Sequence, residues 1–200
     1  MKIIFLDNDG VICLPTQQGG RYKKQKKWGG RKLSTTPDEV PLEYRFDNFD
    51  PKSIKVLNKI LEESGAEIVV SSDWRKWATL KELGDYYESQ GIIRRPIGLT
   101  EFINDEEWTK AGIIPKDFPF HRYDMYEQIR YFEITKWLMD HPEVTHWVAI
   151  DDMSLGNIIY TTYSKDPEER DWGLTNFIHS NYYMGIQQSG LKDKIMKYLI

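Results

Sequence analysis

Apolar and polar positions along the chain switch between two periods. Lys2 to Leu6 is a short apolar run of β-favouring residues, and it stops abruptly at Asp7-Asn8-Asp9-Gly10. Residues 14–49 contain Gly19-Gly20, Gly29-Gly30, Pro37 and Pro41 without sustained periodicity, which predicts loop. A helix is predicted next, with Asp50 as N-cap, Pro51 in the first turn and Gly65 as the stop. Ile54, Leu57, Ile60 and Leu61 form its apolar stripe. Glu67 to Ser71 predicts a second buried strand. Trp74, Trp77, Leu80 and Leu83 then sit at helical spacing within a helix from about Asp73 to Ser89.

A third strand is predicted within Ile92 to Thr100, interrupted by Arg94, Arg95 and Pro96, and residues 101–127 read as an irregular insertion. A helix from about Gln128 to Met139 leads into a fourth strand, Thr145 to Asp152, with acids at its end. Leu174 to His179 is a candidate fifth strand, and Leu191 to Ile200 a terminal helix. Alternating β and α elements predict an α/β fold: a doubly wound parallel sheet of about five strands in a single domain over 1–200. In such sheets the site lies beyond the carboxyl ends of the strands, where their order reverses.

Three of the predicted strands end in polar groups suited to one phosphate and one metal: Asp7 with Asp9, Ser71, and Asp151 with Asp152. A buried strand that delivers two carboxylates is costly unless they have partners. The usual partner of such a hard-oxygen pair is Mg²⁺, and its usual use is phosphoryl transfer. Taken alone, Asp7-Asn8-Asp9-Gly10 reads more readily as a polar turn after an edge strand. A calcium loop fails outright, because with Gly10 as sixth residue its first and twelfth positions are Phe5 and Thr16.

Together and in this order, the segments resemble the motifs of the haloacid dehalogenase (HAD) superfamily of phosphatases. The first is Phe5-Leu6-Asp7-Asn8-Asp9-Gly10-Val11, the second Ile68-Val69-Val70-Ser71, and the fourth Ala149-Ile150-Asp151-Asp152. Gly65 to Arg75, with Glu133-Ile134, Trp137-Leu138 and Gly173-Leu174-Thr175, is similar to the small HAD domains of RNA-repair proteins. The resemblance implies a Rossmann-like HAD fold with small insertions rather than a large cap. It also implies Asp7 as nucleophile through an aspartyl-phosphate and Asp9 as general acid and base. Mg²⁺ would rest on Asp7, the Asp9 carbonyl and Asp151, with Asp152 a second contact or a structural acid. Ser71 would donate to a phosphate oxygen, with Ser72 as substitute.

The superfamily's third motif is a cation, for which Arg130 and Lys136 are the candidates. Six residues place them roughly 120° apart around one helix, so one of them is expected at the site. The helix start lies on the carboxyl side of the sheet, which favours Arg130, with Lys136 as runner-up. Arg75, one turn after Ser71, reads equally as a phosphate ligand and as a surface arginine. Trp74 and Trp77 read as core. The four histidines (His121, His141, His146, His179) lack ligand spacing.

Composition adds three constraints. With 40% hydrophobic and 14% aromatic residues the chain can build a sizeable core. A lone cysteine, Cys13, excludes an internal disulfide framework and fits a reducing compartment. No apolar run approaches membrane length, and Ile3 to Leu6 is too short for a signal peptide. The expectation is a soluble cytoplasmic protein with no membrane partner and no obligate protein partner.

The net charge of −4 hides a strongly basic stretch, Arg21 to Lys32, with seven cations and no acid. Within this 14–49 flap or small-cap insertion, Lys23, Lys24, Lys26, Lys27, Trp28 and Arg31 are candidate nucleic-acid contacts; the bland alternative is a solvated loop. The expected function is a Mg²⁺-dependent phosphomonoesterase acting on an RNA or DNA end or a nucleotide. The rivals are a small-molecule phosphatase, a nucleic-acid-binding module on a HAD scaffold, and a protein-phosphate phosphatase.

Overall fold

The computed structural model describes residues 1–20, 23, 24, 26, 39–116, 118, 120, 125–156 and 173–200. Five strands form one parallel sheet: β1 (Lys2–Leu6), β2 (Glu67–Val70), β3 (Gly98–Leu99), β4 (His146–Asp151) and β5 (Phe177–His179). Their order is β3-β2-β1-β4-β5. β1 is central, with Leu6 opposite Val70 on one side and Ile150 on the other. The order reverses between β1 and β4, so the carboxyl ends of those two strands flank the crevice of a doubly wound sheet. As expected from sequence, the fold is α/β and Rossmann-like.

Alternation along β1 feeds two cores. Ile4 and Leu6 face the larger one, packed with Leu57, Ile60, Leu83 and Ile195. Ile3 and Phe5 face the other, with Ile134 and Trp137. The covering helices are α1 (Leu42–Arg45), α2 (Pro51–Ser64), α3 (Leu80–Ser89), α4 (Asp105–Lys110), α5 (Met125–Asp140) and α6 (Leu191–Leu199). Helix α2 has the predicted ends: the Asp50 side chain accepts from the N–H of Lys52 and of Ser53, and Gly65 closes it at φ +70°.

The single helix predicted from Asp73 to Ser89 is two pieces. Asp73–Lys76 is a 3₁₀ turn, and α3 starts afresh at Leu80 behind a Thr79–Glu82 capping box. The buried Arg45 guanidinium takes the Trp77 carbonyl at 3.0 Å, which a continuous helix would have used internally. The third strand is shorter than predicted, because Arg94 turns out to Glu67 and Arg95 to Asp85 and Glu88 ahead of Pro96. Within the predicted irregular insertion, Asn104 caps the short helix α4 through the N–H of Glu107. Trp108, Ile113, Ile114 and Phe132 make a small core beneath it.

Within the 14–49 stretch, Val40, Phe46 and Phe49 belong to the buried core. Phe46 stacks on Trp74 at 4.5 Å between ring centroids, and Phe49 on the same indole at 5.3 Å. Of the basic segment, Lys23 and Lys26 are exposed, while Lys24 ties back to the Glu43 carbonyl and the Asn48 side chain. Lys27, Trp28 and Arg31 lie outside the described residues. Among the described residues, no helix is long and apolar enough to cross a membrane.

Candidate active site

The site begins where β1 stops. Asp7 leaves the strand still held by the sheet, its N–H donating to the Ile150 carbonyl at 3.1 Å. The chain then folds into a tight loop in which the Asn8 carbonyl accepts from the N–H groups of Val11, Ile12 and Cys13. Asn8 is fully buried, and its side-chain oxygen accepts from the Tyr87 hydroxyl. Gly10 turns the loop at φ +68°, and a side chain there would collide with the Asp152 carboxylate. The segment after β5 braces the loop from outside: Ser180 donates to the Gly10 carbonyl and the Ile186 N–H to that of Val11.

β4 delivers the second pair of acids. Asp151 is fixed by the Met153 N–H, 2.9 Å from its Oδ1. Carboxylate oxygens of Asp7, Asp151 and Asp152 all lie within 4.8 Å of one another. Burial, then the charge of Asp151, pushes the Asp7 carboxyl well above its ordinary value. Burial also raises Asp151, against the pull of Arg130. Burial and Asp151 together bring Asp152 to about 6. Asp7 and Asp151 are buried and Asp152 half-buried, so three hard oxygen donors are crowded at the edge of the cleft. Their chemistry fits a divalent cation with oxygen preference.

One guanidinium meets this cluster. Arg130, on the second turn of α5, is buried; its Nη1 lies 3.1 Å from Asp151 and 3.4 Å from Asp7, and its Nη2 is 3.4 Å from Asp73. Burial opposes its charge, but Asp151 and Asp7 outweigh burial and hold its pKa above the ordinary value. Glu133 braces it from behind, 3.5 Å from Nε, and also pairs with Arg75. Arg75 is thus neither on the surface nor on the wall of the cleft: its other nitrogen donates to the Ser72 carbonyl. Lys136, six residues beyond Arg130 and rotated around α5, pairs with Asp140 beside Glu101 and Trp137, away from the carboxylates. The structure therefore brings Arg130 to Asp7 and leaves Lys136 outside.

The cluster opens into a cleft of about 380 Å³. Asp7, Asp9, Ser72, Asp73, Arg130 and Asp152, with Lys76 and Glu133, form its polar part. Ser72, not Ser71, is on the wall; Ser71 lies buried behind it, its N–H held by the Leu6 carbonyl. Asp9 is oriented by a contact the sequence did not disclose: the Trp74 indole N–H donates to its Oδ2 at 2.8 Å. Trp74 is core, as its apolar spacing suggests, yet its one polar atom serves the site. Glu133 was also missed as a brace, although its position three residues after Arg130 on one helix was the available signal. His179, one of the histidines without ligand spacing, is exposed, and its Nε2 sits 2.8 Å from the Asp152 carbonyl.

Comparison with known families gives one result. A family model described as the HAD domain in Swiss Army Knife RNA repair proteins matches residues 3–190. No curated protein and no solved structure matches the chain. The match starts in β1 and runs past β5 into the segment that braces the Gly10 loop, so it takes in all four carboxylates and Arg130. By that extent, the chain belongs to the HAD domains of Swiss Army Knife RNA repair proteins.

Proposed function

We propose that the chain is a Mg²⁺-dependent phosphomonoesterase that works through an aspartyl-phosphate on Asp7 and removes a phosphate from the end of a nucleic acid or from a nucleotide. The observation that carries this reading is the convergence of Asp7, Asp151 and Asp152 with one buried guanidinium, beside Asp9, at the mouth of a parallel sheet. Asp7, Asp151 and Asp152, with the main-chain carbonyl of Asp9, are the groups that would hold the ion. Bound there, Mg²⁺ supplies charge neutralisation for the phosphoryl oxygens.

The rest is the work of the chain. An Asp7 oxygen attacks phosphorus as the bond to the leaving oxygen breaks, and Asp9 gives that oxygen its proton. Water then attacks phosphorus as its bond to the Asp7 oxygen breaks, and the water gives its proton to Asp9. Inorganic phosphate leaves, and both carboxyl groups return to their starting state. Arg130 offers a planar fork to the phosphoryl oxygens, and Ser72 is the hydroxyl on the cleft wall that would accompany it. A nucleic-acid end is favoured because the family is one of RNA repair proteins and because exposed Lys23 and Lys26 belong to a stretch without acids.

The test is phosphate release from 3′- and 5′-phosphorylated RNA and DNA strands, mononucleotides and sugar phosphates, with Mg²⁺ or with EDTA. Turnover of strand ends that EDTA abolishes and Mg²⁺ restores is expected. Turnover of sugar phosphates alone would replace the nucleic-acid substrate with a small one. Tight, salt-sensitive binding with no release would leave a binding module. Trp74→Phe tests the role of Asp9. It retains an aromatic ring against Phe46 and Phe49 but removes the N–H. With one bond to a charged group lost, kcat is expected to fall about 10-fold or more with little change in KM. An unchanged kcat would dismiss the indole as an orienting group.

A further inference from the structure

Beside its charged groups the cleft is lined by Phe102, Ile103, Tyr126, Ile129 and Met153. Phe102 is 47% exposed and Tyr126 65% exposed, and neither belongs to the buried core. Large exposed aromatic rings are a loss to the free protein unless something covers them. Phe102 is nonetheless held in place. The Arg75 guanidinium carbon lies 4.5 Å from its ring centroid, and Arg75 is itself fastened to Glu133. Tyr126 lies four residues before Arg130 on α5, hence on the same helix face and about one turn, roughly 6 Å, towards the start of the helix.

We propose that Phe102 and Tyr126 form a base-stacking subsite that receives the terminal nucleobase of a single-stranded end whose phosphate lies against Asp7 and Arg130. This assignment rests on the phosphatase reading and adds to it the part of the substrate that the enzyme grips. One helical turn between the ring shelf and the guanidinium leaves room for a sugar between base and phosphate. A cleft of about 380 Å³, at the small end of the usual range of about 300–1,000 Å³, has room for one nucleotide. Stacking on an aromatic face accepts any base, because every base has such a face. The Lys76 ammonium, 5.9 Å from the Phe102 centroid, sets a cation beside the shelf for the next phosphate of the strand.

The experiment compares two short single strands with the same terminal phosphate, one ending in a normal nucleotide and one in an abasic tetrahydrofuran residue. The protein is expected to prefer the base-bearing end. Tyr126→Ala and Phe102→Ala should each lower the ratio of the two kcat/KM values by about 5- to 100-fold. Tyr126→Trp should preserve the ratio. Equal losses on both strands, or no preference in the unaltered protein, would overturn the subsite. So would faster release from a phosphotyrosine peptide with the same dependence on the two rings, which would assign them to a phenol. If neither strand is hydrolysed, the phosphatase reading has failed, and binding decides the subsite separately. With Asp7→Asn protein and Mg²⁺, anisotropy should show tighter binding of the base-bearing strand, and Tyr126→Ala should erase that difference. Equal binding of both strands would overturn the subsite there too.

Discussion

Asp7→Asn is expected to cut phosphate release by about 10⁴-fold or more, the scale of losing a nucleophile, while the metal-free protein melts no lower than the original. The two halves of this expectation have one cause. Asp7 is buried beside Asp151 and Asp152, and burial and their charges disfavour its ionised form. An amide of the same shape removes the repulsion and keeps an oxygen for the Arg130 guanidinium, which retains Asp151, Asp73 and Glu133 as partners. Like charges gathered in one buried cluster are held at the expense of stability. The measurement is release kinetics with Mg²⁺ alongside calorimetry in EDTA. Residual turnover above about 1% of the original would reject Asp7 as the attacking group. A melting temperature lower by several degrees would make Asp7 a structural residue instead.

Glu133→Gln should be the most damaging change for stability. The Glu133 side chain is 2% exposed and lies between two buried guanidinium groups, those of Arg75 and Arg130. Removing its charge leaves the buried Arg75 guanidinium without its carboxylate beside Arg130, at a cost of about 3–5 kcal/mol, or roughly 10 °C in melting temperature for a chain of this size. Glu133→Leu combined with Arg75→Met should recover most of that loss, because the unmatched Arg75 charge goes too. Activity should not recover with it, since Arg130 still lacks its brace. A Gln variant that melts with the original protein would mean that Glu133 carries no charge in the fold. A double variant regaining full kcat would show that the position of Arg130 does not depend on Glu133.

Much of the scaffold was legible because its signals are local. β1 and β4 are apolar runs that end in acids, and α2 carries both of its caps in sequence, Asp50 and Gly65. The carboxylates were legible for the same reason: each lies at or just beyond the end of its strand. What escaped depends on groups far apart in the chain. The apolar spacing from Trp74 to Leu83 runs straight through a break imposed by Arg45, although Thr79 and Glu82 marked the restart. The Arg75–Glu133 pair joins two elements 58 positions apart. The spacing that places Trp74 in the core says nothing about where its N–H points. Phe102 and Tyr126 looked like ordinary apolar residues of an insertion, and only the packed structure sets them along one cleft.

The strand order also bears on how such a chain must come together. β1 is the centre of the sheet and the earliest strand in the sequence, yet Lys2 to Leu6 pair with His146 to Ile150. During synthesis β1 can find β2 early, but its other edge waits for more than a hundred further residues. Pairings of such separation are slow to form, and an open apolar edge is a hazard in the interval. A nascent chain stopped short of His146 would therefore lack the strand that closes that edge. It would hold Asp7 beside an unsealed strand edge, ready to pair with another copy.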